Sequence, residues 1–315
     1  MQAFWHLLAL TAPLFLLVLL GYMLSRWGRW PPSASDALTR FVFAVAIPAF
    51  LFRLMADFSR LPPVDARLLI AYFGGCAIVF VVGRIIAALL FKLNGEAQSV
   101  FAMGGIFANN VLLGLPLAKV TLGDAALPSV SLVLVFNSLL LWTLVTVSVE
   151  WARNRELSVH GFAMTTWSVV TNPVVTGILL GTAFSFTGWT LPGMVDETLH
   201  LISQAAVPMS LIVLGMGLAE YGIRNGWRQS AVIAVLKLSV MPFVVYLIAR
   251  ALALPTRELQ TVVVMASLPV GANVYLMARE FKTMEGPVAS SLVLSTAFAA
   301  VTTPLLLAFL GVAPR

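Results

Sequence analysis

The sequence is poor in charge and nearly free of cysteine. Only 10% of its 315 residues are charged, whereas a soluble globular domain has about 25%. Hydrophobic residues make up 60% of the chain, above the roughly 45–50% of soluble domains. This composition excludes an ordinary soluble domain and indicates a polytopic membrane protein.

Several kinds of site are excluded by what is missing. The single cysteine, Cys76, rules out an internal disulfide and a cysteine-based metal site. The net charge of +6 is too small to suggest a nucleic-acid partner. The chain has no HExxH motif, and no aspartate pair or Ser/His arrangement falls at the middle of an apolar run. We therefore expect no enzyme, no cofactor and no metal site.

Apolar runs of about 20 residues, bounded by charges or by Pro/Gly clusters, predict ten transmembrane helices. The first run has no basic residue before it, so it is predicted to be a retained span and not a signal peptide. The predicted spans are residues 7–24, 38–56, 67–91, 98–119, 127–149, 169–186, 199–219, 229–251, 260–279 and 288–310. The sequence thus predicts an all-α polytopic fold.

Short segments recur along the chain in a fixed order. Five pairs match at nearly constant offsets of 160 to 163 residues. The first members begin at Thr11, Ala46, Phe80, Glu96 and Ser131, and the second members at Thr171, Ala206, Phe243, Glu258 and Ser291. The chain is therefore predicted to consist of two homologous five-helix repeats, residues 1–149 and 169–315, joined by a short cytoplasmic connector at 150–168.

Because five is odd, the second repeat must enter the membrane with the opposite orientation, as in many secondary transporters. One set of connections holds most of the basic residues, which predicts that it faces the cytoplasm and that both termini lie outside. That set contains Arg26, Arg29, Lys92, Arg153, Arg155, Arg224, Arg228 and Lys282, against Arg60, Arg257 and Arg315 on the other side.

Helix-breaking residues interrupt the fourth and ninth predicted spans. The ninth reads "SLPVGANVYLMA", with Pro269, Gly271 and Asn273, and the fourth reads "FANNVLLGLPLAK". Non-helical backbone survives in the hydrocarbon region only when it is buried in protein or lines a watery cavity. We interpret the two breaks as a substrate site in which Asn110 and Asn273 are symmetry partners. The alternative is a pair of ordinary kinks with each asparagine bonded to a neighbouring helix.

Two basic residues lie well inside predicted spans. Lys237 is eight residues into the eighth span and Arg84 is seven residues from the end of the third. A charge at that depth is unfavourable unless it is paired or hydrated, so either could serve an anion path, whereas snorkelling is the alternative, particularly for Arg84.

Four segments resemble the signatures of bacterial members of the auxin efflux carrier family. They are "FANNVLLGLPLA", "SLPVGANVYLMAREF", "TNPVVTGILLG" and "AAVPMSLIVLGMGL", and the resemblance covers essentially the whole chain. It implies two inverted five-helix repeats with crossing fourth and ninth helices, a fold similar to that of sodium–bile acid symporters.

The resemblance also implies a site and a substrate class. Its crossover prolines would be Pro116 and Pro269, with Asn109, Asn110 and Asn273 as the neighbouring polar residues. Family substrates are small organic anions such as auxin, malonate and malate, and a homodimer in the cell (inner) membrane is expected.

Three functions remain open from the sequence. The first is a carrier of a small carboxylate that works by alternating access, with Gly271 and Lys237 as further candidate site residues. The second is a sodium-coupled organic anion symporter, which the lack of buried acidic residues disfavours. The third is a sensor that binds its ligand on the same fold without transport.

Overall fold

The computed structural model describes residues 2–28, 30–56, 64–154, 171, 173–221 and 226–312. Within these ranges the regular structure is helical, apart from one isolated antiparallel bridge. Most of the predicted connector, from residue 155 to 168, lies outside the described residues, as do Arg29, Arg60, Arg155, Arg224 and Arg315.

The helices follow one another along the chain with short connections. The first half contains α1 (Gln2–Arg26), α2 (Pro32–Phe41), α3 (Ile47–Met55), α4 (Arg67–Phe91), α5 (Gly95–Ile106), α6 (Leu115–Leu122) and α7 (Leu127–Asn154). The second half contains α8 (Pro173–Phe186), α9 (Gly193–Tyr221), α10 (Trp227–Val235), α11 (Met241–Ala251), α12 (Thr256–Ala266), α13 (Ala272–Glu280) and α14 (Glu285–Phe309).

Three π-helical turns in the described part of the chain each run directly into the helix that follows. They are π1 (Val42–Ala46) before α3, π2 (Asn110–Gly114) before α6 and π3 (Leu236–Val240) before α11. Each turn ends two residues before a proline, namely Pro48, Pro116 and Pro242. Proline has no N–H to donate, and its ring clashes with the carbonyl four residues earlier. The wider π turn makes room for the ring and lets the helix continue.

Six helical stretches in the described part of the chain are long and apolar enough to cross a membrane: α1, α2–α3, α4, α9, α10–α11 and α14. Shorter apolar helices lie between them. Large hydrophobic side chains such as Ile70, Leu89 and Phe298 are exposed on these stretches, as expected for a lipid-facing surface. The all-helical membrane fold is confirmed, while the count of ten spans and the inverted repeat stay predictions.

The helices pack in two groups. In the first group α1 packs against α9, and α3 packs against both α8 and α9. In the second group α4 contacts α5, α11 and α12, while α14 contacts α10 and α13 and also packs against α1 and α9 of the first group. The π2–α6 helix lies between the groups, because it contacts both α1 and α9 on one side and α7 and α12 on the other.

Glycines bring the helices of the first group into backbone contact. A Cβ atom on Gly21 of α1 would lie 2.0 Å from the carbonyl oxygen of Ile212 in α9. A Cβ atom on Gly181 of α8 would lie 2.5 Å from the carbonyl oxygen of Phe52 in α3. Residues 21 and 181 are 160 apart, and so are 52 and 212. The two close contacts are therefore related by an offset of 160, which is also an offset at which the sequence segments repeat.

We expect Gly21→Ala and Gly181→Ala each to lower the free energy of unfolding by about 1–3 kcal/mol, because the added methyl group meets a backbone carbonyl that cannot move aside. Thermal unfolding of the purified protein in detergent measures the effect. Gly193→Ala is the control, since nothing lies within 4 Å of its Cβ position. Equal melting temperatures for all three variants would contradict the close packing.

Candidate functional site

The chain leaves its helical path at two places that lie side by side. The first break follows α5, where Phe107 is extended (φ −76°, ψ 105°), and it ends where π2 begins at Asn110. The second break follows α12 and ends at Gly271, which is extended (φ −79°, ψ 144°) just before α13. Proline and glycine account for the second break, whereas the first contains neither.

The two breaks satisfy each other's backbone groups. Ala108 and Val270 form an antiparallel bridge, in which the Asn109 N–H donates to the Pro269 carbonyl and the Gly271 N–H donates to the Phe107 carbonyl, each at 2.9 Å. The paired residues are related by an offset of 162, so each segment bonds to its own sequence counterpart. Inside a membrane, the N–H and carbonyl groups of non-helical backbone must find hydrogen-bond partners within the protein, and this pairing supplies them.

Neighbouring side chains complete the pairing. The N–H of Val270 donates to the Ser295 hydroxyl oxygen of α14 at 3.0 Å. A Cβ atom on Gly271 would lie 2.9 Å from the Ala108 carbonyl oxygen, so glycine allows the two backbones to approach this closely.

The structure places two of the predicted site residues differently from the sequence match. Pro116 does not lie at the crossing, because it is the second residue of α6 and follows π2 in an unbroken helix. The helices restart at Asn110 and Ala272, so the offset of 162 that relates the bridged residues pairs Asn110 with Ala272, one residue before Asn273.

A small cavity of about 110 Å³ lies at the crossing. Four asparagines line it, namely Asn109, Asn110, Asn137 of α7 and Asn273, together with the apolar residues Phe43, Leu134, Val174 and Val175. Gly271 also lines it, whereas Pro116, Pro269 and Lys237 do not. The cavity wall includes the first residues of π2 and of α13, so the N-terminal ends of two helices meet there.

The side chains of Asn109, Asn110 and Asn137 are buried and that of Asn273 is half-buried, and some of their polar atoms have no partner among the described residues. The Asn110 side-chain nitrogen donates to the Tyr72 hydroxyl oxygen at 3.1 Å and to the side-chain oxygen Oδ1 of Asn137 at 3.2 Å. The side-chain oxygen Oδ1 of Asn110 has no partner among the described residues. The Asn109 amide nitrogen also lacks a partner within the described ranges. A buried amide without a partner is unfavourable, so these groups are available to a ligand.

The electrostatics of the cavity favour an anion. No acidic side chain is among the residues that line it. The N-terminal end of a helix carries a partial positive charge and free N–H donors, and two such ends face the same space. Among the described residues, no group of three or more His, Cys, Asp or Glu side chains could hold a metal ion.

Lys237 lies behind the crossing in the π3 turn and is fully buried. Its ammonium donates to the carbonyl of Ala266, the last residue of α12. That carbonyl belongs to the C-terminal end of a half-helix, where a positive charge is favourable. Lys237 therefore acts on the second break through the backbone and does not line the cavity.

Arg84 has partners on other helices. Its guanidinium donates to the Ser148 hydroxyl oxygen at 2.8 Å and to the side-chain oxygen Oε1 of Gln98 at 3.4 Å. Ser148 is in turn 2.8 Å from the Ser99 hydroxyl. These bonds join α4 to α5 and α7, away from the residues that line the cavity.

Sequence reasoning missed Asn137 and Tyr72. Asn137 is a lone amide in the apolar stretch "LVFNSLL", and a polar group inside a membrane helix usually has a partner or a function. That signal could have identified Asn137. Tyr72 has no such signal, because tyrosine is common at membrane boundaries.

Known proteins resemble the chain over almost its whole length. A family model described as "Membrane transport protein" matches residues 6–307. A protein of Rhizobium meliloti (strain 1021) titled "Putative malonate transporter" is 24% identical over 298 residues, which cover 93% of this chain and 92% of that protein. "Auxin efflux carrier component 8" of Arabidopsis thaliana is 20% identical over 330 residues, covering 88% of this chain and 90% of the carrier.

We expect Gly271→Ala to lower the free energy of unfolding by about 1–3 kcal/mol, because its Cβ would meet the Ala108 carbonyl and, at 3.1 Å, the Phe107 ring. Thermal unfolding in detergent measures this change. Gly74→Ala is the matched control, since its Cβ would lie in ordinary contact, 3.7 Å from Ile248. An unchanged melting temperature for Gly271→Ala would show that the crossing is looser than described.

Proposed function

Because this chain belongs to the membrane transport protein family, we propose that it is a secondary transporter that moves a small organic anion across the membrane by alternating access. The family membership confirms the resemblance to auxin efflux carriers. One relative is titled a malonate transporter and others are titled auxin efflux carriers, which supports a carboxylate such as malonate, malate or an auxin-like acid as the substrate.

The observation that carries this proposal is the buried, unpartnered amide nitrogen of Asn109 in a cavity where two helix ends meet. An amide N–H and the backbone donors at a helix N-terminus are suitable ligands for a carboxylate. Asn273 lies in the first turn of α13 and contributes a second amide. We propose Asn109, Asn110, Asn137 and Asn273 as the substrate-binding side chains.

Alternating access needs two arrangements of comparable stability, and an inverted repeat supplies them. The sequence offsets of 160 to 163, the paired glycine contacts and the self-matching bridge support two inverted repeats that each contribute one half of the crossing. Pro269 and Gly271 keep the backbone of the second break non-helical. Pro116 lies after the break, in the continuous π2–α6 helix, and accounts for its π turn. The excess of basic residues on one side supports termini outside the cytoplasm in a cell membrane protein.

Lys237 favours a carrier without sodium coupling. A sodium ion bound at the crossing would need oxygen ligands and would neutralise the carbonyl end of a half-helix. The buried Lys237 side chain already bonds the Ala266 carbonyl at this position and supplies a positive charge when it is protonated. We therefore assign Lys237 to the support of the crossing and not to direct substrate contact.

We expect Asn273→Ala to reduce uptake of a labelled carboxylate into proteoliposomes at least about tenfold, because losing a hydrogen bond to a charged ligand is worth about 1.5–3 kcal/mol. A panel of malonate, malate and indole-3-acetate identifies the substrate first. Gln204→Ala is the matched control, since it removes an exposed amide on α9.

The same panel tests the function itself. Uptake by Asn273→Ala equal to that of the unchanged protein would exclude the site. Saturable binding of a carboxylate by the unchanged protein without any uptake would favour a sensor over a carrier.

We expect uptake to be the same in sodium and in choline buffers, because the Lys237 ammonium takes the place of a coupling cation. Lys237→Gln should lose most of the uptake, while Lys92→Gln, an exposed lysine at the end of α4, should retain it. Initial rates under imposed sodium and pH gradients measure both effects. Sodium-dependent uptake by the unchanged protein would favour the bile-acid type of symporter.

A further inference from the structure

A second cavity lies at one end of the molecule, and we call it the Trp189 pocket. It has a volume of about 450 Å³ and is lined by Arg53 at the end of α3, Asp124, Trp189 and Asp196 of α9, among others. Arg53 and Asp196 form an ion pair at 2.7 Å that ties α3 to α9 at the rim. Two acidic side chains and one guanidinium make this pocket polar.

The Trp189 pocket and the cavity at the crossing lie along the same helices. Phe43 lines the cavity at the crossing, and Arg53, ten residues further along π1–α3, lines the Trp189 pocket. Likewise Val175 and Phe184 of α8 line the two spaces. At about 1.5 Å per residue the two spaces are separated by roughly 14–15 Å. A ligand that moves between them must pass the segment in between.

A charged contact occupies that segment. The Lys119 ammonium of α6 lies 4.6 Å from the centroid of the Phe50 ring in α3. Phe50 is buried, and it lies between Phe43 and Arg53 in the chain. The Lys119 side chain is half-buried, and within a membrane protein its charge gains from the face of an aromatic ring. The contact joins the helix that leaves the crossing to the first helix group.

A hydrogen bond makes a second link between the same parts. Pro116 has no N–H, so the Leu112 carbonyl of π2 lacks its usual helical donor. The Ser210 hydroxyl of α9 lies 3.2 Å from that carbonyl. It also lies 2.8 Å from the Val207 carbonyl in its own helix. A hydroxyl has one proton, so Ser210 can release Leu112 and still keep a hydrogen bond.

We propose that the Lys119–Phe50 and Ser210–Leu112 contacts form a releasable closure between the cavity at the crossing and the Trp189 pocket. The inference rests on the proposed transport function. Opening toward the Trp189 pocket separates the π2–α6 helix from α3 and α9. It also frees the Lys119 ammonium to face the pocket, where it attracts an incoming anion.

Accessibility of single cysteines tests the closure without any substrate. In a Cys76→Ser background, Leu54→Cys reports on the Trp189 pocket and Val111→Cys reports on the cavity at the crossing. A membrane-impermeant maleimide is applied to right-side-out and to inverted vesicles, and the side that labels Leu54→Cys is the side of the pocket. From that side, Lys119→Met and Ser210→Ala should each raise the labelling rate of Val111→Cys about two- to fivefold.

Three comparisons separate a closure from ordinary packing. Lys119→Arg should keep the low rate, because arginine also binds an aromatic face. Phe50→Leu should raise the rate as Lys119→Met does, and the double variant should add little, because both remove one contact. Arg228→Met, which removes a cation–aromatic contact with Trp227 at the start of α10, should have no effect.

Unchanged labelling in Lys119→Met and Ser210→Ala would overturn the proposal, and so would an equal rise from both sides of the membrane. Rapid labelling of Val111→Cys from the pocket side before any further substitution would also overturn it. A response to the substitutions in a protein that shows no uptake would support the closure and would contradict only the transport function.

Discussion

The pairing of two unwound backbone segments is the constraint on which the rest of the structure depends. In hydrocarbon a bare N–H or carbonyl has no water to bond, so a break in one membrane helix is stable only beside a second break or another donor. Phe107–Asn109 and Pro269–Gly271 meet this need for each other. Gly271 permits the close approach, Ser295 bonds the remaining N–H, and Lys237 bonds the carbonyl at the end of α12. The cavity and its asparagines exist because two helices restart at this point.

Proline has a different task in the two halves of the crossing. Pro269 lies within the second break, while Pro116, like Pro48 and Pro242, follows a π turn that keeps its helix continuous. The carbonyl that Pro116 leaves without a helical donor is bonded by Ser210 from another helix. A proline in a membrane helix thus produces an acceptor for a neighbouring helix to use, and here that neighbour is α9 of the first helix group.

The sequence predicted the helical class and the second break, because apolar runs and the Pro269–Gly271 pair are local signals. The first break was predicted within "FANNVLLGLPLAK", but its exact position did not follow from the sequence, because Phe107–Asn109 contains no proline or glycine and its backbone partner lies 162 residues away. The position of Lys237 deep inside its membrane helix could be predicted from the sequence. The direction of its side chain could not, because its acceptor, the Ala266 carbonyl, lies on another helix. Asn137 stands out as a lone amide in an apolar stretch, but its position beside the other asparagines depends on the fold.

The bridge between Ala108 and Val270 also sets an order for assembly in the cell. Its two strands are separated by more than half the chain, so the first one enters the membrane long before its partner is made. Until residues 267–271 arrive, the backbone of residues 107–109 must stay hydrated or remain helical. The cavity at the crossing therefore lacks part of its wall in a chain shortened before α13, and its completion is a late event in biogenesis.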